Sequence, residues 1–166
     1  FGKNFKTFMI RPATLYGYSP KMRMDLTMNI LTGQAAKKKE ITVFGGRQSR
    51  PYLHVNDMVD LYIFFIKNYK KIKSGSYNAS AGNLKVIEKA KIISRVAKNC
   101  KINIKKIIDI RSYRTDSTKL KKTGFKIKED LEKSLEYLYR LFKEKKISNS
   151  KKWYSIYWIK KLKLTN

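Results

Sequence analysis

The chain has 166 residues, of which 42% are hydrophobic and 13% aromatic, so it is long and apolar enough to form one folded domain. Its formal net charge of +27 comes mostly from lysines spread along the whole length. Nucleic-acid readers favour arginine concentrated in a patch, so we read the charge as a general drift of composition, and a nucleic-acid partner is not favoured.

The first half of the chain alternates extended runs with helical patterns. Residues 7–10 form an apolar run that predicts a buried strand, which Pro12 would end because its nitrogen cannot donate to a ladder. The further elements predicted here are a loop at 13–20, a helix at 24–35 that ends before the lysine run, strands at 41–44 and 52–55, and a helix at 56–66 capped by Asn56 and Asp57.

The second half continues the alternation. Its predicted elements are a strand at 77–79, a helix at 86–97, a β-rich stretch at 104–110, a short helix at 117–122 closed by Gly124, and an amphipathic helix at 129–145. Alternating strands and helices indicate an α/β fold, and the first strand is expected to join a sheet whose other strands lie upstream. We expect residues 1–145 to form the folded part and residues 146–166 a basic, aromatic tail.

Single copies of reactive residue types exclude several kinds of site. Cys100 is the only cysteine, so no internal disulfide can form, and we expect it to be a small buried hydrophobic residue. His54 is the only histidine, and no metal-ligand set can be built around it. No leader segment or membrane-length apolar run is visible, so the expected compartment is the cytoplasm. Because the chain begins with Phe1 and not Met, we expect a part of a longer protein.

Three segments carry polar residues beside turns, and a fourth follows late in the chain. They are Arg11-Pro-Ala-Thr-Leu-Tyr-Gly17, residues 19–29, Ile41-Thr-Val-Phe-Gly-Gly46 with residues 49–57 after it, and residues 111–126. Their order and spacing resemble the extended short-chain dehydrogenase/reductase family, in its NAD-dependent nucleotide-sugar epimerase and dehydratase branch. The resemblance covers about residues 5–145. It implies the C-terminal part of a Rossmann-like NAD(P)-binding fold, with the small α/β substrate-binding domain, from an enzyme that works as a homodimer.

The resemblance implies a site for the diphosphate and base of a nucleotide sugar. A diphosphate needs cationic and amide donors at a cleft. By resemblance, Arg50 grips the diphosphate, Asn29 donates to the same phosphates, Arg111 makes a further contact, and Val43 and Phe44 lie along the base. The alternatives are a surface arginine at position 50, a capping or solvated Asn29, and Arg114 in place of Arg111.

The resemblance also implies contacts to the cofactor and the sugar. Ligands of such sheets bind at the carboxyl ends of strands. By resemblance, the backbone of Pro12 and Ala13 lies near the nicotinamide of NAD or NADP, and Thr14 and Tyr16 border the sugar. Tyr16 could instead simply pack in the core. We expect structural roles for two further residues: His54 should be a structural histidine with a satisfied hydrogen bond, and Asp57 a helix cap.

The sequence lacks the residues that would do the chemistry. It has no Gly-x-Gly-x-x-Gly phosphate loop, and the family's Tyr-x-x-x-Lys pair would have to precede Arg11. Tyr69/Lys73, Tyr139/Lys143 and Tyr157/Lys161 have the right spacing but lie too late. We therefore expect no catalytic residue in this chain, a cofactor bound mainly by an absent N-terminal half, and an isolated chain that is inactive and folds poorly.

Other classes of function remain open from the sequence. The chain could be a non-catalytic basic module that binds nucleic acid or an anionic membrane surface. The tail favours weak membrane-surface association, because Trp153, Tyr154, Tyr157 and Trp158 have an apolar body with a polar tip, and lysines surround them. The alternative is that these aromatic residues pack on the surface of the fold itself.

Overall fold

The structure is a computed structural model that describes residues 5–107, 111–147 and 153–162. The strands of these ranges are β1 Phe8–Pro12, β2 Thr14–Tyr16, β3 Glu40–Phe44, β4 Ser49–His54, β5 Gly75–Ala79, β6 Gly82–Lys85 and β7 Lys101–Lys105. The helices are α1 Thr27–Lys38, α2 Val55–Lys67, α3 Val86–Val96, α4 Thr118–Lys121, α5 Leu131–Lys143 and α6 Ser155–Lys161.

The strands form three small sheets, and most of the pairings are parallel. β1 pairs with β5 and β3 pairs with β7, both parallel, while β4 lies between parallel β2 and antiparallel β6. Helices connect the parallel strands, as expected when each crossover must return to the same edge of the sheet. The predicted α/β class is therefore confirmed.

The first strand runs two residues further than the predicted run at 7–10, and Pro12 is its last residue. Pro12 pairs with Ala79 as the last residue of β1. The amide of the next residue, Ala13, donates to the Ala79 carbonyl at 2.7 Å. Since amides alternate sides along a strand, the Pro12 nitrogen points away from β5, and its missing hydrogen removes nothing from this ladder.

Other boundaries also differ from the prediction. The expected loop at 13–20 contains β2, and β6 was not predicted; both are too short to show a period. α1 begins later and includes two lysines in its last turn, where cations suit the negative end of the helix dipole. β7 begins at Lys101 and ends at Lys105, earlier than the predicted stretch at 104–110, of which residues 108–110 lie outside the described residues.

Three apolar clusters hold these elements together. The first joins α1, α3 and β3 and includes Cys100, which is 8% exposed, as predicted for a small buried residue. The second joins β1, β5 and α2, and the third lies between α1 and α5. Trp153 and Tyr154 pack against the third cluster, and the Trp153 carbonyl accepts a hydrogen bond from the Met24 amide at 2.9 Å.

The expected tail is thus partly built into the fold. Trp153 and Tyr154 are half-buried, as the packing alternative required, whereas Tyr157 and Trp158 on α6 are 37% and 41% exposed. Residues 148–152 and 163–166, which hold several of the tail's lysines, lie outside the described residues. Membrane association through the exposed pair stays a prediction. In the described residues, no helix has the length and apolar character that crossing a membrane requires.

Candidate functional site

Two adjoining cavities open where β1 and β3 end. The first, cavity A, has a volume of about 380 Å³, and the second, cavity B, about 420 Å³. Thr14, Leu26 and Tyr113 line both, so the cavities are neighbours with a common wall. This is the edge at which sheets with parallel strands bind their ligands.

All of the site residues predicted from the sequence line one of these cavities. Cavity A is bordered by Pro12, Ala13, Thr14, Tyr16 and Asn29. Cavity B is bordered by Thr14, Val43, Phe44, Arg50 and Arg111. Segments far apart in the chain therefore meet at one surface, although their roles toward a ligand stay predictions.

Arg50 and Arg111 give cavity B its positive charge. Arg50 is the second residue of β4 and is half-buried, and its guanidinium carbon lies 5.5 Å from the centre of the Tyr113 ring. The chain near Arg111 is fastened to the start of β4: the Tyr113 amide donates to the Ser49 carbonyl at 3.2 Å, and the Ser49 amide donates to Ser112 Oγ at 2.9 Å. These bonds bring two arginines, 61 positions apart in the printed numbering, to the same cavity.

Asn29 is buried and is bonded to the backbone of both loops that border cavity A. It is 2% exposed; its Oδ1 accepts from the Gly17 amide at 3.1 Å, and its Nδ2 donates to the Arg23 carbonyl at 2.8 Å. Asn29 is therefore neither solvated nor a cap, since Leu26 holds the cap position of α1. A phosphate could use only the other hydrogen of Nδ2, so its role as a phosphate donor stays a prediction.

Tyr16 both lines cavity A and packs in the core. It is 3% exposed, and its ring centre lies 4.9 Å from that of His54 and 6.1 Å from that of Tyr52, both edge to face. Its hydroxyl is hydrogen-bonded to the side chain of Ser134. Burial, the largest cause, raises the pKa of Tyr16 above its usual value, so the phenol stays protonated at neutral pH.

His54 is a structural residue, as predicted. Its Nδ1 accepts a hydrogen bond from the Asn56 amide at 3.2 Å, so His54 is the N-cap of α2. Burial lowers the pKa of His54, which favours the neutral ring that this bond needs. A Cβ at Gly17, which has a φ of 109°, would collide with this imidazole, so the turn after β2 requires glycine.

Asp57 does not cap α2, and that prediction was wrong. Its side chain is 1% exposed, and Oδ1 accepts from the amides of Lys128 at 2.8 Å and Glu129 at 3.4 Å. Asp57 therefore fastens α2 to the chain that leads into α5. The sequence could not show this, because the partners lie more than 70 positions away.

Sequence reasoning missed Tyr113, which lines the site, and Lys89, which is buried and acted on by the charge of Arg50. Tyr113 lies under Arg50 and borders both cavities, but a tyrosine between two arginines has no periodic signal. Lys89 of α3 is 1% exposed, and its Nζ lies 5.6 Å from the centre of the Tyr52 ring. Burial first, and Arg50 second, lower the pKa of Lys89 to about 8.

Two observations concern the residues that could hold a cofactor or a metal ion. Pro12 and Ala13 border cavity A, and the 166-residue sequence contains no Gly-x-Gly-x-x-Gly loop for a dinucleotide's phosphates. Among the described residues, no group of three or more His, Cys, Asp or Glu side chains is arranged to hold a metal ion.

Comparison with known proteins supports the resemblance to one family. The sequence model of the NAD dependent epimerase/dehydratase family matches residues 2–80, which confirms the resemblance found in the sequence. The fold is similar to that of solved extended short-chain dehydrogenase/reductase enzymes, and the chain spans about half of their length.

Three of these structures show the extent of the likeness. UDP-N-acetylglucosamine 4-epimerase from Bacillus cereus is 24% identical with a TM-score of 0.71, over 92% of this chain and 50% of that one. RMD from Pseudomonas aeruginosa, solved with NADPH, is 18% identical with a TM-score of 0.72, over 86% and 50%. UDP-glucose 4-epimerase from Thermotoga maritima, solved with UDP-glucose, is 22% identical with a TM-score of 0.71, over 84% and 47%.

Proposed function

We propose that this chain supplies the nucleotide-sugar site of an NAD-dependent epimerase or dehydratase. The observation that carries the proposal is the convergence of residues within 12–17, 23–29, 42–50 and 111–113 on two cavities with a common wall. The epimerase/dehydratase family model matches residues 2–80, and two of the similar structures are named for UDP-sugars. Both findings support a nucleotide sugar as the substrate class.

The two cavities suit the two ends of such a substrate. Cavity B offers Arg50 and Arg111 to a diphosphate, and the exposed Phe44 at the end of β3 to a base. Arginine is suited to this role, because its planar fork can donate two parallel hydrogen bonds to phosphate oxygens. Cavity A, with Thr14 on the shared wall, is then the place for the sugar.

The chemistry itself belongs to groups that this sequence does not contain. NAD or NADP, when bound, exchanges a hydride with the sugar; in this chain Pro12 and Ala13 border the place where its ring would lie. The rest of the cofactor would be held by residues outside the printed sequence. We therefore expect the 166-residue chain to show no turnover with NAD and UDP-, GDP-, CDP- or dTDP-sugars, and turnover that persists after repurification would contradict this.

The proposal is tested by substituting Arg50 and measuring affinity for nucleotide sugars by calorimetry. A charge-assisted hydrogen bond contributes about 1.5–3 kcal/mol, so Arg50→Ala should weaken binding by about 10- to 100-fold. Arg50→Lys should recover only part, because the fork is lost. Arg47→Ala is the matched control: Arg47 is exposed, lies three positions away and lines neither cavity. Parent-like affinity of both Arg50 variants would refute the assignment.

A further inference from the structure

Lys89 occupies a core position of α3. The helix buries Val86, Lys89, Ala90 and Ile93, which follow the spacing of one helical face. At 1% exposure Lys89 is as buried as its apolar neighbours. Burying a charged ammonium at such a position costs free energy unless a nearby group of opposite charge offsets it.

The face above Lys89 is the one that carries Arg50. Arg50 and Tyr52 lie two residues apart on β4 and so point to the same side of the strand. The Lys89 ammonium lies over the Tyr52 ring, and the Arg50 guanidinium lies over the Tyr113 ring. Each of the two cations thus lies over an aromatic ring, and the charge of Arg50, which borders cavity B, acts on Lys89.

Two acidic residues on α3 and on the adjacent helix α5 are engaged with other groups. Glu88, on α3 itself, accepts from the Lys85 amide at 2.6 Å. Glu132, on the adjacent helix α5, forms an ion pair with Arg95. The charged group that acts on Lys89 from β4 is Arg50, which has the same sign. An anion in cavity B would offset the repulsion between these two cations.

We propose that Lys89 is a second cation of the anion site in cavity B, which strengthens diphosphate binding at Arg50 without touching the ligand. The inference rests on the proposed function and deepens it. Lys89 is a positioning residue in this role: its charge acts through Tyr52 and Arg50. We therefore expect the affinity of the protein for a nucleotide diphosphate to depend on the protonation of Lys89.

The charge state of Lys89 changes within an accessible pH range. Its pKa, lowered to about 8, is raised again when an anion binds nearby, because the anion favours the charged form. Binding near pH 8 should therefore take up a proton, and affinity should fall as the pH rises above 8. Proton uptake is measured by calorimetry in buffers of different ionisation enthalpy.

The test compares Lys89→Met with the parent in the full chain that the gene encodes. Met keeps an unbranched side chain of similar length and removes the charge. The probe is whichever of UDP, GDP, CDP and dTDP the parent binds most tightly. At pH 7, Lys89→Met should bind it about tenfold more weakly, from the effect of one charge at short range. At pH 9.5 the two affinities should agree, and proton uptake near pH 8 should be absent in the variant.

A second lysine of the same helix gives the control. Lys91 is exposed, so Lys91→Met changes the net charge equally and should bind like the parent. If Lys89→Met and the parent have the same affinity and the same pH profile, the inference is overturned while the proposed function stands. If the parent binds none of the four diphosphates, the proposed function is overturned and the inference with it.

Discussion

At pH 7, replacing Lys89 with Met should stabilise the full chain that the gene encodes. Burial and Arg50 lower the pKa of Lys89 from 10.5 to about 8, which corresponds to about 3 kcal/mol of destabilisation while the group is charged. The variant loses the contact of the ammonium with the Tyr52 ring, which contributes about 1–2 kcal/mol. The burial term is larger, so we expect the free energy of unfolding to increase by about 1–2 kcal/mol.

The advantage of the variant should shrink as the pH rises. Between pH 8 and 10.5 the unfolded chain holds a proton on Lys89 that the folded chain has released, so the parent's free energy of unfolding rises with pH. Lys89→Met lacks this rise. The raised pKa of Tyr16 acts in the opposite direction above pH 10, but it is common to both proteins and cancels in their difference.

Urea unfolding followed by circular dichroism at pH 7 and 9.5 measures this difference. Lys91→Met serves again as the control, because it removes an exposed charge from the same helix. A Lys89→Met protein that is less stable than the parent at pH 7, and that shows the parent's pH dependence, would refute the reasoning. That result would mean that the surroundings stabilise the ammonium and that its charge does not destabilise the fold.

Two further changes test how the fold is held together. Asp57→Ala should lower the free energy of unfolding by about 3 kcal/mol, because the amides of Lys128 and Glu129 lose a buried charged acceptor. Asp57→Asn should lower it by less. If both variants are as stable as the parent in urea, this prediction is wrong. Deleting residues 148–166 should lower the melting temperature, because Trp153 is removed from an apolar cluster; an unchanged melt would assign the tail no part in the fold.

The longer elements and the residues that line the two cavities could be predicted from the sequence, because their patterns are local. α3 and α5 have apolar residues at helical spacing, and both were found within two residues of their observed ends. The short strands β2 and β6 have three and four residues, and they exist only because β4 lies between them. A pairing between distant segments leaves no trace in a local pattern.

The burial of Lys89 could have been predicted from the helical spacing of α3 alone. It lies three residues after Val86 and four before Ile93, which is the buried face of α3. Lys89 was not among the residues considered from the sequence, and lysine is in general almost never fully buried. Asp57 was misjudged in the opposite way: a carboxylate in a first helical turn is usually a cap, and only the tertiary fold reveals that its partners lie near α5.

A structure of the full chain with bound UDP tests the central claim most directly. The account predicts the diphosphate in cavity B, with phosphate oxygens about 3 Å from the Arg50 guanidinium and the uracil beside Val43 and Phe44. Arg111 should approach the same ligand from the other side of the cavity. UDP bound away from cavity B, with Arg50 still over Tyr113 and no phosphate near it, would contradict the account.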